Sequence, residues 1–403
     1  MDTMITNLIE KETKRQSETL SLIPSENYAS KAVRDAVGSV MANKYAEGYS
    51  GRRYYQGNEV MDEVENLAIE RGKKLFKLEH MNVQPYSGSP ANLAVLMALV
   101  EPRETICGLE LSAGGHLTHG HRVSISGKWF KSVQYGLNSE GKIDYDALAS
   151  MVLLESPKVI FAGTTAYPWS MDWKRFAEIA DSVDAYLVAD ISHIAGLVAS
   201  GVIENPADFA HIVTSTTHKS LRGPRGAFIG VTNNGLEKDE SLASKIDKAV
   251  FPGLQGGPHM NTIAGMAVAF EEATSREFGD YANQVVKNAK VLANELRDGG
   301  LTVFGTENHL MLVEVGLEKG KEMAVKLEDV GIIVNANTVP DDKGSPMRPS
   351  GIRLGTPAVT TRGMGESEMK QIARLILRVF GGEEAGNIKN EVLVICKKYP
   401  CPN

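Results

Sequence analysis

Cysteine is scarce in this chain. Its 403 residues include three, Cys107, Cys396 and Cys401, and no two of them form a C-x-x-C pair. That excludes a disulfide scaffold and the usual cysteine-based zinc spacing, and it fits a reducing compartment. No apolar run approaches the roughly 18 residues of a membrane helix, so no membrane partner is expected. The stretch Met1 to Gln16 carries Glu10, Lys11, Glu12, Lys14 and Arg15 and lacks the apolar core of a secretory signal; the expected location is the cytoplasm. Basic residues are scattered and the net charge is -7, so no nucleic-acid surface is expected. Repeats and low-complexity segments are also missing. What remains is an ordinary globular composition, 42% hydrophobic and 23% charged, in a chain long enough for two or three domains.

The stretch that stands out is Thr214-Ser215-Thr216-Thr217-His218-Lys219-Ser220, followed by Leu221-Arg222-Gly223-Pro224-Arg225-Gly226. Apolar runs enter and leave it, at His211-Ile212-Val213 and Ala227-Phe228-Ile229-Gly230-Val231, which makes it a loop between two strands. Hydroxyls and glycine amides suit an anion, and a lysine there can be desolvated and attack a carbonyl. A polar surface loop with a solvated lysine is the plain alternative.

Other runs give this loop its setting. Thr105 to Leu111, Pro157 to Thr165 and Asp184 to Ser192 read as strands, the last ending in Asp190. Such uninterrupted apolar runs suit strands buried on both faces of a mainly parallel sheet. Helical stretches alternate with them, Asp172 to Ser182 among them, so the fold class is a doubly wound α/β domain whose ligands lie beyond the strand C-termini. Val83 to Asn92 places Ser87-Gly88-Ser89 at the start of a helix running to Leu99, a ready anion site. Asn43 to Gly57 holds four tyrosines, Glu47 and two arginines with no helix or strand period, and reads as a functional loop. Residues Met4 to Leu20 form a helical arm with an apolar stripe at Ile5, Leu8 and Ile9. After Pro258 long helices and short strands give an α+β tail. The expected domains are thus 1–20, 21–258 and 259–403.

Three signals support one another. Asp190 closes a buried strand, Lys219 follows one helix-strand unit later, and the serine-glycine turn can hold phosphate. A lysine to form an imine, a carboxylate for a pyridine nitrogen and an anion cradle together suit pyridoxal 5'-phosphate (PLP).

The ordered motifs then make the reading specific. They include Ser25-Glu26-Asn27, Lys44-Tyr45-Ala46-Glu47-Gly48-Tyr49, Arg53-Tyr54-Tyr55, Gly114-Gly115-His116-Leu117-Thr118-His119, Thr216-Thr217-His218-Lys219, Gln255-Gly256-Gly257-Pro258 and Ser350-Gly351-Ile352-Arg353. From Leu22 to Pro400 the chain resembles the serine hydroxymethyltransferases, PLP enzymes of fold type I. The resemblance implies a large domain with a mainly parallel, seven-stranded type of sheet and a smaller α+β C-terminal domain. It implies that Lys219 holds PLP covalently, Asp190 pairs with the pyridine nitrogen and His116 stacks on the ring. His193 would help hold the side of the ring oxygen, and Ser192 would also bind the cofactor. Ser87, Gly88 and Ser89 would take the phosphate, with His218 nearby and Gly257 contributed by a neighbouring subunit. Arg353 and Ser25 would receive the amino acid carboxylate. Glu47 would shuttle a proton between substrate hydroxyl and one-carbon acceptor. Tyr45 and Tyr55 would enter from the partner subunit, Thr216 would lie beside the lysine, and Asn337 would sit on the pterin side. The implied substrates are L-serine, glycine and a reduced folate or tetrahydromethanopterin-like pterin. The implied assembly is a homodimer with shared sites, or a tetramer built from it. No metal is expected, although three histidines stand at His116, His119 and His121.

The chain departs from the family at Ser89-Pro90, where Ser-Gln is usual, and at Met347, where phenylalanine is usual. The alternatives are a PLP-dependent threonine or 3-hydroxy-amino-acid aldolase without pterin, and a PLP-less RNA-binding member of the fold. Intact Lys219, Asp190 and Arg353 speak against the latter.

Overall fold

A computed structural model describes residues 2–402 of the chain. It divides into two compact units, residues 29–282 and residues 2–28 together with 283–402. The division falls within the long helix Arg276–Asp298 and not near Pro258. The helix Met260–Glu272, expected in the tail, packs against Glu59–Phe76 and Lys31–Val37 and so belongs with the large sheet. The N-terminal segment is not a separate arm by this division. Leu20–Ser21 pairs in parallel with Ile332–Ile333 and joins residues 2–28 to the C-terminal half.

The larger unit is built on seven strands. They are β1 (His80–Asn82), β2 (Thr105–Leu109), β3 (Lys131–Tyr135), β4 (Val159–Gly163), β5 (Tyr186–Asp190), β6 (Ile212–Thr216) and β7 (Ala227–Val231). Their order is β1-β7-β6-β5-β4-β2-β3. β7 runs antiparallel to β1 and β6, and the remaining pairs are parallel. The central strands β4 and β6 are buried at every position, as continuous apolar runs between two helical layers require. β3 lies on the sheet edge, and its sequence Lys-Ser-Val-Gln-Tyr has no such run, which is why the sequence reading passed over it. Val95 and Leu96 of the helix α1 (Gly88–Leu99) pack with Phe161, Val188 and Ile229 in the core. Burying side chains of this size contributes on the order of 2 kcal/mol each.

In the smaller unit, β8 (Val303–Phe304), β9 (Leu310–Glu314), β10 (Asn335–Asn337) and β11 (Gly351–Gly355) form an antiparallel sheet of order β8-β9-β11-β10. Helices Glu366–Phe380 and Ala385–Lys398 cover its core through Met369, Ile372, Ile376 and Val392.

Candidate active site

β5 and β6 are parallel neighbours, with Asp190 level with Thr214. Their C-terminal ends therefore put Asp190 and the Lys219 loop on one edge of the sheet. On the other side of β5, Gly163 pairs with Asp190, and a Cβ on Gly163 would lie 2.6 Å from the Cβ and carbonyl oxygen of Asp190. Only glycine permits that approach.

Asp190 is buried, and its carboxylate is surrounded by donors. Ser192 donates to Oδ1 from its backbone N–H at 3.0 Å and its hydroxyl at 2.5 Å. Asn92 donates to Oδ2 at 2.8 Å and His119 Nε2 lies 3.0 Å from the same oxygen. Burial by itself would push this carboxyl up. The His119 contact, the nearby His116 and the Ser192 hydroxyl outweigh it and hold the acid far below the usual carboxylate range. Since an ionised carboxylate only accepts, the hydrogen on His119 sits at Nε2. His119 is fully buried and stacked on Phe161, with ring centroids 4.7 Å apart. Asn92 in turn accepts from the Thr214 hydroxyl at 2.8 Å, so one helix residue ties β5 to β6.

The sequence reading missed His119 and Asn92. Both left a signal. His119 closes the Gly-Gly-His-Leu-Thr-His motif, and Asn92 is a polar residue inside the apolar helix α1. A buried amide there must find partners.

The Lys219 loop is not a loose surface connector. Thr217 donates its hydroxyl to Pro224 O at 2.6 Å, and Gly223 N donates back to Thr217 O at 2.7 Å. Ser220 donates to His193 O at 2.9 Å and receives the N–H of Gly196 at 3.1 Å. Tyr281 donates to Ser220 O at 3.0 Å, and the Arg222 guanidinium lies over the Tyr281 ring at 4.1 Å. Lys219 itself is half-buried, while Thr217 and Ser220 are buried. Burial and the neighbouring Arg225 and Lys219 charges pull His218 down to about 3. Burial, His119 and Lys219 pull His116 down to about 4, against the Asp190 charge. His116 Nδ1 lies 2.7 Å from the Thr118 hydroxyl.

Ser87 is the N-cap of α1 but makes no side-chain cap bond, and Gly88 and Ser89 form the first turn. Ser87 and Ser89 are exposed. A Cβ on Gly88 would be 2.8 Å from Thr216 Cγ2, and the Ser192 hydroxyl accepts from Thr216 N at 3.0 Å. Ser87, Gly88, Ser192, Thr216, Asp190, His116 and Lys219 are thereby one group. His193 is buried beside it.

A second group sits in the same unit. The segment expected to lack regular structure forms a short hairpin, Gly48–Tyr49 against Arg52–Arg53, because the Arg53 side chain organises it. Tyr45 and Tyr55 meet edge to face at 5.4 Å. The Glu47 carboxyl points at Gly256, where an added Cβ would be 3.3 Å from Oε1. A cavity of about 420 Å³ is lined by Lys44, Tyr45, Tyr86, Gly257 and His259. Tyr86, which sequence reasoning left without a role, donates to Gly257 O at 2.8 Å and directly precedes Ser87. The remaining candidates belong to the smaller unit. Arg353 on β11 donates through Nε to Asn335 Oδ1 at 3.1 Å, and burial draws its guanidinium down to about 10. Asn337 ends β10 and donates to Thr338 O at 2.7 Å. Leu22 O accepts from Gly355 N at 2.7 Å, which brings the Ser25 segment to the end of the strand that carries Arg353.

The family profile described as serine hydroxymethyltransferase matches residues 1–376. A protein of Acidothermus cellulolyticus named serine hydroxymethyltransferase is 53% identical over 416 aligned residues, covering 100% of this chain and 96% of its own length. One of Desulfotalea psychrophila with the same name is 50% identical, covering 100% of this chain and 95% of its own length. Serine hydroxymethyltransferase 2 of Burkholderia pseudomallei is 50% identical, with 99% and 96% covered.

Proposed function

The chain belongs to the serine hydroxymethyltransferase family, and from that premise we propose which of its residues carry the reaction. The activity is the reversible transfer of the hydroxymethyl group of L-serine to a reduced pterin, leaving glycine. Tetrahydrofolate is the acceptor we assign; a modified tetrahydropterin is the other candidate, and Met347 on the pterin side is the reason to test it.

The residues fit PLP. Thr216 Oγ1 and His218 Nδ1 are buried without a partner among the described residues, and both flank the Lys219 loop. The Ser87 hydroxyl is not spent on its own helix, and Gly88 keeps open a space that a Cβ would fill. The observation that carries the reading is the buried, ionised Asp190 beside the lysine loop. A carboxylate held that low keeps a pyridine nitrogen protonated. When bound, PLP withdraws electrons from the bond between Cα and the hydroxymethyl carbon of the substrate.

The chain's own groups do the rest. Lys219 holds the cofactor through Nζ. Ser87, Gly88 and Ser89 receive its phosphate at the N-terminus of α1, with His218 near and Gly257 from a second subunit. His116, Ser192 and His193 would hold the cofactor's ring, and Thr216 stands three residues before the lysine. Arg353 takes the substrate carboxylate as a fork that lysine could not offer, with Ser25 close to it. Glu47 moves the proton between the serine hydroxyl and the acceptor. Tyr45 and Tyr55 line the site of the partner subunit, and Asn337 faces the pterin. A dimer is supported by the exposed stripe Met4, Ile5, Leu8 and Ile9, and by an apolar cavity of about 480 Å³ lined by Leu93, Leu96, Leu117, Val123, Ile125 and Leu254. A cytoplasmic location follows the scarcity of cysteine.

The test is an absorbance spectrum before and after glycine, then a reduced pterin. A visible band that moves to longer wavelength only when pterin joins glycine supports PLP on Lys219 and a pterin site together. A band indifferent to pterin points to the aldolase reading. In parallel, Glu47→Gln is expected to slow transfer by about 10²-fold, as loss of a positioned proton carrier does; transfer at the parent rate would remove Glu47 from its role.

A further inference from the structure

Arg53 has no role in the reading above, yet its surroundings are unusual. Its side chain is only 4% exposed. The guanidinium spends four of its five N–H groups on fixed partners. NH1 donates to Ala46 O at 2.9 Å and to Gly48 O at 2.8 Å. These are the carbonyls on either side of Glu47. Nε donates to Asp62 Oδ1 at 2.8 Å, and NH2 pairs with Glu65, which is 1% exposed. Glu65 also accepts from Gln84 Nε2 at 2.6 Å, and the same amide donates to Gly48 O at 2.9 Å. The carbonyl of Glu47 itself accepts from Tyr54 N at 3.0 Å. Gly48 takes φ +94, and a Cβ there would be 2.4 Å from Arg52 O, so the chain turns sharply at once after Glu47.

We propose that Arg53 is the positioning residue for Glu47: it clamps the carbonyls on both sides of that residue and anchors them to Glu65 and Asp62, so that the carboxyl is held toward Gly256. The inference rests on the proton-moving role given to Glu47. It explains a cost the fold would otherwise carry for nothing. A buried ion pair rarely adds net stability over apolar residues of the same volume. Here it fixes a peptide segment of three residues, of which the middle one must hold its carboxyl still. Lysine in its place would keep the charge, but a single ammonium cannot reach two carbonyls and two carboxylates at the angles a planar fork offers.

The experiment is a double-mutant cycle in the PLP-loaded enzyme with Arg53→Lys and Glu47→Gln. Arg53→Lys alone is expected to lower serine transfer to the pterin on the order of 10–100-fold, the size of effect that misplacing a reacting group produces. The visible PLP band should be unchanged, because the clamp does not touch the Lys219 group. In the Glu47→Gln background the same substitution should cost less than about twofold, since the group it positions is already gone. A second readout needs no turnover. Hydrogen exchange at the Tyr54 amide, which bonds Glu47 O, should speed up about tenfold in the Arg53→Lys apoprotein while the amides of β5 and β6 keep their rates. Equal losses in both backgrounds, or transfer at the parent rate in Arg53→Lys, would overturn the proposal. If Arg53→Lys does not fold, Arg53→Met/Glu65→Leu replaces the pair with apolar volume and serves instead; parent-rate transfer there overturns it equally. Glu47→Gln at the parent rate is a separate outcome and sinks the role of Glu47 itself.

Discussion

The sheet-edge group around Asp190 and the hairpin group around Glu47 hold polar residues by opposite means. Asp190 is placed by strand register: β4, β5 and β6 set its height, Gly163 makes room, and Asn92, His119 and Ser192 hold its carboxylate from three directions. The hairpin has two-residue strands and owes its shape to one arginine and two carboxylates, the buried Glu65 and the half-buried Asp62. The donors to Asp190 in the first group all come from its own chain. The second leaves Tyr45 57% and Tyr55 47% exposed, which suits surfaces that meet a second subunit. Charge that must stay ionised is best buried on a rigid scaffold. Groups offered to a neighbouring site can stand on a shorter support, provided something clamps the backbone.

Two substitutions press on the rigid side of this contrast. Asp190→Asn keeps the size and the Ser192 contacts but loses the charge. It is expected to lower transfer on the order of 10²–10³-fold, comparable to removing a preorganised electrostatic partner. The measurement is single-turnover transfer with PLP in excess, and a loss below tenfold would place the carboxylate outside the chemistry. His119→Phe keeps the stack on Phe161 and removes one donor to Asp190. Asn92 and Ser192 remain, so the expected loss is nearer tenfold, the worth of one hydrogen bond to a charged group. If His119→Phe proves as costly as Asp190→Asn, the group is less redundant than its geometry implies, and the contrast with the singly clamped hairpin weakens.

How much of this was legible beforehand depends on where the signal lay. β4, β5 and β6 announced themselves as apolar runs, and Asp190 and Lys219 stood at their ends, so the sheet edge could be read directly. β3 could not, since an edge strand with one partner has no need of a continuous apolar run. The hairpin at Gly48–Arg53 was read as irregular because two-residue strands have no period; its register depends on contacts from Arg53 to Asp62 and Glu65. The division into units was misplaced at Pro258 because a change from strands to helices does not say on which side a helix packs. Leu20–Ser21 pairing with Ile332–Ile333 left no local trace at all. The roles at Lys219, Glu47 and Arg353 came from ordered motifs, whereas His119 and Asn92 required the geometry.

Acid provides the mildest way to separate the two groups. His116 and His218 both belong to the sheet edge, and burial is the main reason that each holds its proton less tightly than a free imidazole, down to about 4 and about 3. Both are neutral in the folded protein at pH 5, whereas the unfolded chain has taken up protons below its ordinary value of about 6.5. The unfolded state therefore binds more protons, and stability must fall as pH drops from about 6.5 toward 4. With solvent screening of half-buried rings allowed for, each contributes roughly 1 kcal/mol between pH 7 and pH 5. The buried His211, also held down to about 4, adds to the same slope from beneath the sheet. Urea unfolding of the apoprotein at the two pH values checks this. His116→Gln and His218→Gln should each remove their own share of the slope and leave the rest. Hydrogen exchange at the Tyr54 amide should be unaffected by His116→Gln and His218→Gln once the intrinsic rate is corrected, because the groups that clamp Glu47 are a guanidinium, an amide and two carboxylates and not imidazoles. A parent protein equally stable at pH 7 and pH 5 would mean that these histidines reach water more freely than their packing against the sheet edge implies.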